Sequence, residues 1–300
     1  MAGYAVLRQK ASEAGRKFRL AVAKGEDHES FKAVKEACDL NLGLPLFSGN
    51  KDIIRREAEK AGITEYEILP AETDQQAAAE AVRAVVEERA DLLMKGLVST
   101  STLLKEVLKE KGGLLRGNLL SHLLVVEKKD GTFVGVTDGG MNIAPDLEQK
   151  AAIIENSVRF FRSLGVNRPK VAVLSAIEMV NRDMSSTVDA AVLTKMGQRG
   201  RFGDCVVEGP LSLDLSVNPE ACEIKGLKGS EINGNADILL VPEIVGGNIL
   251  GKSLVLFAGL QSGGLITGAS CPILLMSRAD SAREKLNAIL LGIIRIINGV

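Results

Sequence analysis

Short β-rich runs alternate with helix-periodic segments along nearly the whole chain, and that alternation restricts the fold more than any other feature. Residues 44–48, 66–69, 91–95, 170–175, 237–242 and 272–276 read as strands. Residues 52–61, 73–88, 100–110, 147–164, 186–196 and 282–297 read as helices. Strand, helix and strand in succession close as right-handed crossovers, so the expected fold is α/β with a parallel, doubly wound sheet. One stretch breaks the pattern. Residues 119–127 and 132–137 are strand-like and separated only by Lys128-Lys129-Asp130-Gly131, which predicts an antiparallel pair in mid-chain. The run from Asp138 to Pro145 carries paired glycines and a proline and predicts a lobe boundary. The stretch from Gly226 to Gly234 reads as a mobile surface loop or a plain connector.

Lys and Arg total 37 against 38 Asp and Glu, a net charge of -1 that supplies no attraction to nucleic acid or an acidic membrane. Aromatic residues make up 3% with no Trp, leaving few rings for stacking on bases or sugars. A small polar ligand is what remains. Cys38, Cys205, Cys222 and Cys271 lack CxxC spacing, and His28 and His122 are the only histidines. Neither a zinc site nor a disulfide framework is expected, and reduced thiols fit a cytoplasmic chain. Residues 1–24 interleave Arg8, Lys10, Glu13, Arg16, Lys17 and Arg19 with apolar positions and read as an amphipathic helix, not a signal peptide. Residues 286–297 are very apolar, but Arg295 interrupts them and the run is too short for a bilayer, so a core or subunit-contact helix is expected.

Three constellations could carry chemistry. Gly246 to Ser253 satisfies GxxxxGK[ST], the NTPase phosphate loop. That loop also needs a magnesium-binding carboxylate on another strand and further βα units, and Glu243 just before it would repel a triphosphate. A glycine turn opening a helix explains the pattern better, and its amides could still hold one phosphate or acyl oxygen. The second constellation follows the last strand, where Ser277 and Arg278 offer a hydroxyl and a cation at a strand's carboxyl end. Ser281 with Glu284 is a capping box, but Arg278 opposes the helix dipole and wants an anion. The third is Lys95 followed by Ser99, Thr100, Ser101 and Thr102, more hydroxyls than a single cap uses, which points to a polar pocket. His122 lies on an alternating strand and reads as a satisfied core residue, so a Ser-His-Asp hydrolase is unattractive.

Several of these segments occur together in an order that resembles the phosphate acetyl/butyryltransferase family. They are Met94-Lys95-Gly96 with Thr102-Leu103-Leu104-Lys105, Leu120-Ser121-His122, Asp138-Gly139-Gly140-Met141-Asn142 and Glu208-Gly209-Pro210-Leu211-Ser212-Leu213-Asp214. Gly247-Asn248-Ile249 with Lys252-Ser253-Leu254, and Ser277-Arg278-Ala279-Asp280-Ser281, complete the series. The resemblance runs from about Asp91 to the C-terminus and is closest to the butyryl branch. It implies two lobes like those of the isocitrate/isopropylmalate dehydrogenases, 1–145 plus 277–300 and 146–276, with the site in the cleft between them. It implies transfer of a short acyl group between CoA and inorganic phosphate.

Residue by residue, the resemblance puts the catalytic Ser-Arg pair on Ser277 and Arg278. The base, seven positions after that serine, falls on Glu284, where the acetyl branch has Asp; Asp280 is the alternative. Lys105 stands where the acetyl branch has Arg. With Lys95, Ser99, Thr100, Thr102, Arg116, Ser121, Asn142, Gly247 and Asn248, it makes up the expected substrate-binding set. Acyl-CoA and phosphate are the expected partners, CoA acting as cosubstrate with no resident cofactor or metal, in a homodimer or larger homo-oligomer. The chemistry suits the residues. A CoA thiol has a pKa of about 8.5 and needs a base, while attack by phosphate needs cations and oxyanion donors, for which Arg278, Ser277 and the Asn248 amides are candidates. No Cys or Ser-His nucleophile is visible, so direct transfer in a ternary complex is expected. The alternatives are an acetyl-preferring enzyme, the NTPase, and a non-catalytic acyl-CoA-binding protein.

Overall fold

The computed structural model describes residues 3–109, 114–117, 119–275, 277 and 280–299. The chain divides into a discontinuous unit, Ala2–Asn118 with Ser262–Gly299, and an inner unit, Leu119–Gln261. The divisions fall ahead of those expected, because the antiparallel pair in mid-chain belongs to the inner unit and residues 262–275 belong to the discontinuous one.

The discontinuous unit begins with α1 (Gly3–Glu13), β1 (Phe18–Ala23), α2 (His28–Asp39), β2 (Gly43–Gly49), α3 (Lys51–Ala61) and β3 (Glu67–Pro70). It continues with α4 (Asp74–Val86), β4 (Leu92–Lys95) and α5 (Thr100–Lys109). The inner unit holds β5 (Ser121–Glu127), β6 (Phe133–Thr137), α6 (Leu147–Ser163), β7 (Lys170–Leu174) and α7 (Ser185–Gln198). After them come β8 (Val206–Leu211), α8 (Leu213–Val217), α9 (Pro219–Ile224), β9 (Ile238–Leu240) and α10 (Ile244–Leu256). The chain then returns to the first unit through β10 (Ser262–Thr267), β11 (Ile273–Leu274) and α11 (Ala282–Ile297).

In the discontinuous unit the strands run β3-β2-β1-β4-β11-β10, parallel except for β10 against β11. In the inner unit the order is β5-β6-β9-β7-β8, with β5 antiparallel to β6 and the rest parallel. Parallel strands covered on both faces are expected to be apolar throughout, and Leu92, Leu93 and Met94 of β4 are completely buried. Helix starts follow local chemistry: Thr73 with Gln76, Asp146 with Gln149 and Ser281 with Glu284 all form capping boxes.

Residues 1–24 are not one helix. Gly15 turns the chain with φ +66°, and Phe18–Ala23 becomes an inner strand between β2 and β4. Arg19 reconciles a charge with that position by sitting at the strand's start, where its amide donates to Asp91 Oδ2 at 2.7 Å. The stretch 226–234 is a connector anchored near its end. Ile232 is fully buried, and both its amide and Ser230 Oγ donate to Glu208. Helix α11 is core: residues 285–295 are all buried, and Arg295 donates to the carbonyls of Cys271 and Ala269. No helix among the described residues is long and apolar enough to cross a membrane.

The exit of β4 depends on one close approach. A Cβ on Gly96 would lie 2.5 Å from Lys24 O and 2.7 Å from Ala23 O, backbone atoms at the end of β1. Gly96→Ala is therefore expected to cost about 1–3 kcal/mol by displacing backbone. Gly117→Ala, which meets nothing within 4 Å, should change stability by less than about 0.5 kcal/mol. Urea unfolding of the two variants checks the difference.

Candidate active site

In open α/β sheets ligands gather beyond the carboxyl ends of strands. In the discontinuous unit β4 and β11 are parallel neighbours, Leu93 beside Ile273 and Met94 beside Leu274, so both exits lie on one edge. Lys95 closes β4. It is buried, and Nζ donates to Gly96 O at 3.1 Å and Val98 O at 3.4 Å. Ser99 Oγ accepts the Thr102 amide at 3.0 Å and lies 2.8 Å from Thr102 Oγ1 and 2.9 Å from Ser101 Oγ. Three of the four hydroxyls therefore serve the first turn of α5, with half-buried Thr100 beside them. Lys105 is exposed on the same helix with no acidic partner among the described residues. Arg116 is also exposed, its amide donating to Gly268 O at 2.8 Å.

Beyond β11, Ser277 and Asp280 bond each other. The Ser277 amide donates to Asp280 Oδ2 at 2.7 Å, and the Asp280 amide to Ser277 O at 3.2 Å. Arg278 lies outside the described residues. Burial pushes the Asp280 carboxyl above the usual carboxylate range; Glu284 adds to the rise, while the Ser277 amide, Lys285 and Lys95 oppose it. The structure thus brings Lys95, Ser277, Asp280 and Glu284 into one neighbourhood. Glu284 Oε2 accepts the Ser281 amide and Oγ, both at 2.8 Å, while its Oε1 meets Ser262 Oγ at 3.4 Å. Lys285 belongs to the same group and had gone unnoticed. It is buried in the first turn of α11, 3.5 Å from Asp27 Oδ1, the N-cap of α2. A cation in the first turn of a helix was the available signal.

The inner unit gathers the other residues at the ends of β6 and β9. Asp138 is buried and accepts from four donors: the His122 amide, Asn142 Nδ2, and the Gly140 and Met141 amides. Asn142 Nδ2 also donates to Leu120 O at 3.0 Å. Ser121 is fully buried and meets Asn156 Nδ2 at 3.1 Å. His122 is not a satisfied core residue: its Nδ1 is buried without a hydrogen-bond partner among the described residues. Burial lowers the imidazole's pKa, with the Asp138 charge opposing, so the ring stays neutral.

Gly247 and Asn248 do not form a turn with free amides. They lie inside α10, whose N-cap Glu243 takes the Val245 and Gly246 amides at 2.7 Å each, and the Gly247 amide bonds Glu243 O at 3.2 Å. The whole stretch Gly246 to Ser253 is helix, so it cannot wrap a nucleotide's phosphates, and a carboxylate already occupies the positive helix end. The glycines have another use. A Cβ on Gly139 would lie 2.6 Å from Gly247 C, and one on Gly247 2.7 Å from Gly139 Cα, while Asn248 Nδ2 donates to Gly139 O at 3.1 Å.

The Gly-Pro-Leu-Ser-Leu-Asp block ends in a polar network. Ser212 Oγ lies 2.5 Å from Glu178 Oε1 and 2.6 Å from Asp214 Oδ1, and Lys225 Nζ is 2.8 Å from Asp214. Lys225 and Ser212 hold the Asp214 carboxyl down to about 2. All four thiols are free. Burial pushes Cys38 up to about 11 and Cys271 to about 12, and raises Cys205 and Cys222 as well, so none is an activated nucleophile. No cluster of three or more His, Cys, Asp or Glu suited to a metal occurs among the described residues.

Most of the chain resembles known proteins. The family described as phosphate acetyl/butaryl transferase matches residues 71–293. The phosphate butyryltransferase of Clostridium beijerinckii is 40% identical over 277 residues, 91% of each chain. The crystal structure of a branched-chain phosphotransacylase from Enterococcus faecalis superposes with a TM-score of 0.84 at 34% identity, covering 93% of this chain and 99% of that one. A 4-hydroxythreonine-4-phosphate dehydrogenase from Klebsiella pneumoniae, 10% identical, covers 92% of this chain and 98% of its own at a TM-score of 0.55, a likeness of fold alone.

The depressed Asp214 pKa fixes the sign of one acid effect. A carboxyl held at about 2 in the fold and about 3.9 unfolded adds stability above the unfolded value and loses it as pH falls through about 2. Asp214→Asn should therefore flatten the loss of stability between about pH 4 and pH 2. Urea midpoints measured across that range check it, and high salt should shrink the difference because the pair is exposed.

Proposed function

As the chain belongs to the phosphate acetyl/butyryltransferase family, we propose that it moves a short acyl group between CoA and inorganic phosphate. The observation that carries this is the neighbourhood of Lys95, Ser277, Asp280 and Glu284 at one sheet edge, in a chain 40% identical to a phosphate butyryltransferase over nearly its full length. Butyryl or branched acyl groups are the preferred substrates by likeness to those relatives; acetyl is the second reading, since the family spans both. Each unit is read as half of an isocitrate/isopropylmalate dehydrogenase-like fold. The protein is read as cytoplasmic and as a homo-oligomer, for which Leu256 and Phe257, exposed at the end of α10, offer an apolar contact.

A phosphate oxygen attacks the thioester carbonyl carbon, the tetrahedral intermediate collapses, and the C–S bond breaks to leave acyl phosphate and CoA. Arg278 and Lys95 orient the phosphate and offset its charge, and Ser277 Oγ donates to the reacting group. In the reverse direction Glu284 takes the CoA thiol proton; forward, it returns that proton to the departing sulfur. Two features support Glu284 over Asp280. Its Oε1 has only a 3.4 Å contact while the capping box holds the other oxygen, and Asp280 is engaged in folding the Ser277 turn. The raised thiols favour direct transfer without an acyl-enzyme.

CoA release from butyryl-CoA should require phosphate; release that ignores phosphate would mean a thioesterase, and tight CoA binding without release a non-catalytic binder. Glu284→Gln should lower turnover by about 100-fold or more while Tm holds, since Gln still completes a capping box. Arg278→Gln should lose at least about 100-fold with little change in folding. If Glu284→Gln stays active and Asp280→Asn does not, Asp280 is the base.

A further inference from the structure

Lys285 is a cation where a helix least favours one. Ser281 caps α11, so Lys285 lies in the first turn, at the positive end of the helix dipole, and it is only 3% exposed. An ammonium taken out of water needs anions around it, and the start of α2, in the same unit, supplies them. Asp27, the N-cap of α2, places Oδ1 3.5 Å from Lys285 Nζ, while the same oxygen accepts the Ser30 amide at 2.9 Å. Glu29, in the first turn of α2, is held below the usual carboxylate range chiefly by Lys32; the Ala282 amide and Lys285 add to this and burial opposes it. Two acids at the start of α2 therefore face an amide and an ammonium at the start of α11.

The same ammonium stands on the side of Asp280. Asp280 comes just before the cap and Lys285 is the fourth residue after it, the two positions whose side chains, when apolar, pack together as a staple over a helix start. Here the staple positions carry opposite charges. Asp280 Oδ2 in turn accepts the Ser277 amide at 2.7 Å, and an ionised carboxyl accepts such a bond more strongly than a neutral one. Resting on the acyl-transfer reading above, we infer that Lys285 is a positioning residue, anchored by Asp27 and placing positive charge beside Asp280 so that its carboxylate grips the Ser277 amide and sets Ser277 for the reaction. It acts through Asp280 and not on the substrate. Burial and Glu284 work toward the neutral form of Asp280, and Lys285 and Lys95, with the Ser277 amide, work against it.

The test is made in the full-length protein with butyryl-CoA and phosphate. Lys285→Met keeps an unbranched buried stem and removes the charge; kcat should fall about ten-fold or more, because small displacements of a reacting group are costly, while KM for either substrate holds within about two-fold. The acid limb of the kcat profile should move up by at least about half a pH unit, since Asp280 loses one of the two lysines that oppose its protonation. Lys285→Arg should restore most of kcat. Asp27→Asn, which keeps a good cap on α2, should also lower kcat, and the double variant should be no worse than Lys285→Met alone. Lys60→Met, at an exposed lysine of α3, is the control and should leave kcat and its pH profile unchanged. Deuterium exchange at the Ser277 amide should be at least about ten-fold faster in Lys285→Met, a readout that needs no turnover. A lower Tm with the parent's kcat, pH profile and Ser277 exchange would make Lys285 a packing residue and overturn the proposal. If Lys285→Met does not fold, Asp27→Asn decides: parent-like kcat and exchange overturn it. If the parent transfers no acyl group, the acyl-transfer reading fails by itself, and exchange at Ser277 alone judges whether Lys285 holds Asp280 to it.

Discussion

The buried Asp138 carboxylate holds the turn after β6 in shape. A charge without water must be met by hydrogen bonds, and Asp138 is met by four, from β5, from the turn's own backbone and from Asn142. Removing any of these donors would leave a lone pair of a buried anion unpaid. The turn so fixed puts Gly139 against Gly247, a contact that a Cβ on either residue would block. From it follow the seating of α10, the Asn248 bond to Gly139, and the bond of the Ile244 amide to Ile143 O.

The opposite economy governs the helix ends. Positive helix N-termini at strand exits are natural anion sites, yet here the chain fills them itself: Glu243 on α10, the Ser281–Glu284 box on α11, and Ser99 at the start of α5. Under the acyl-transfer reading proposed above, a phosphate is then met by side-chain cations. The discontinuous unit supplies two buried lysines beside the Ser277 turn, Lys95 and Lys285, both close enough to act on Asp280. Burying an ammonium is costly unless anions surround it. Asp27 and Asp280 answer part of that need.

Much of this was legible in the sequence because it depends on local chemistry. The capping boxes at Thr73, Asp146 and Ser281 announce their helices, apolar runs such as 92–94 announce buried strands, and Lys128–Gly131 announces a hairpin. The ordered blocks around Lys95, Asp138, Asn248 and Ser277 pointed to the family because their residue types and order survive without knowledge of contacts. Strand β1 was hidden, since Arg16, Lys17 and Arg19 give its segment a helix-like alternation that only pairing with β2 and β4 overrides.

What the sequence could not disclose was which of two uses a residue has. Gly246 to Ser253 spells a phosphate loop, but a motif records residue types and not backbone shape; the Glu243 cap and the packing of Gly247 on Gly139 make it helix. His122 looked satisfied until the surroundings of its Nδ1 were known, and Lys285 went unnoticed because its partner Asp27 comes from a distant segment, the start of α2. The sequence by itself determined much of the strand–helix alternation, the mid-chain hairpin and the family, because propensity, capping and residue pattern act over a few positions. Burial and the partners of each polar atom are sums over distant segments, and only the tertiary structure decided them.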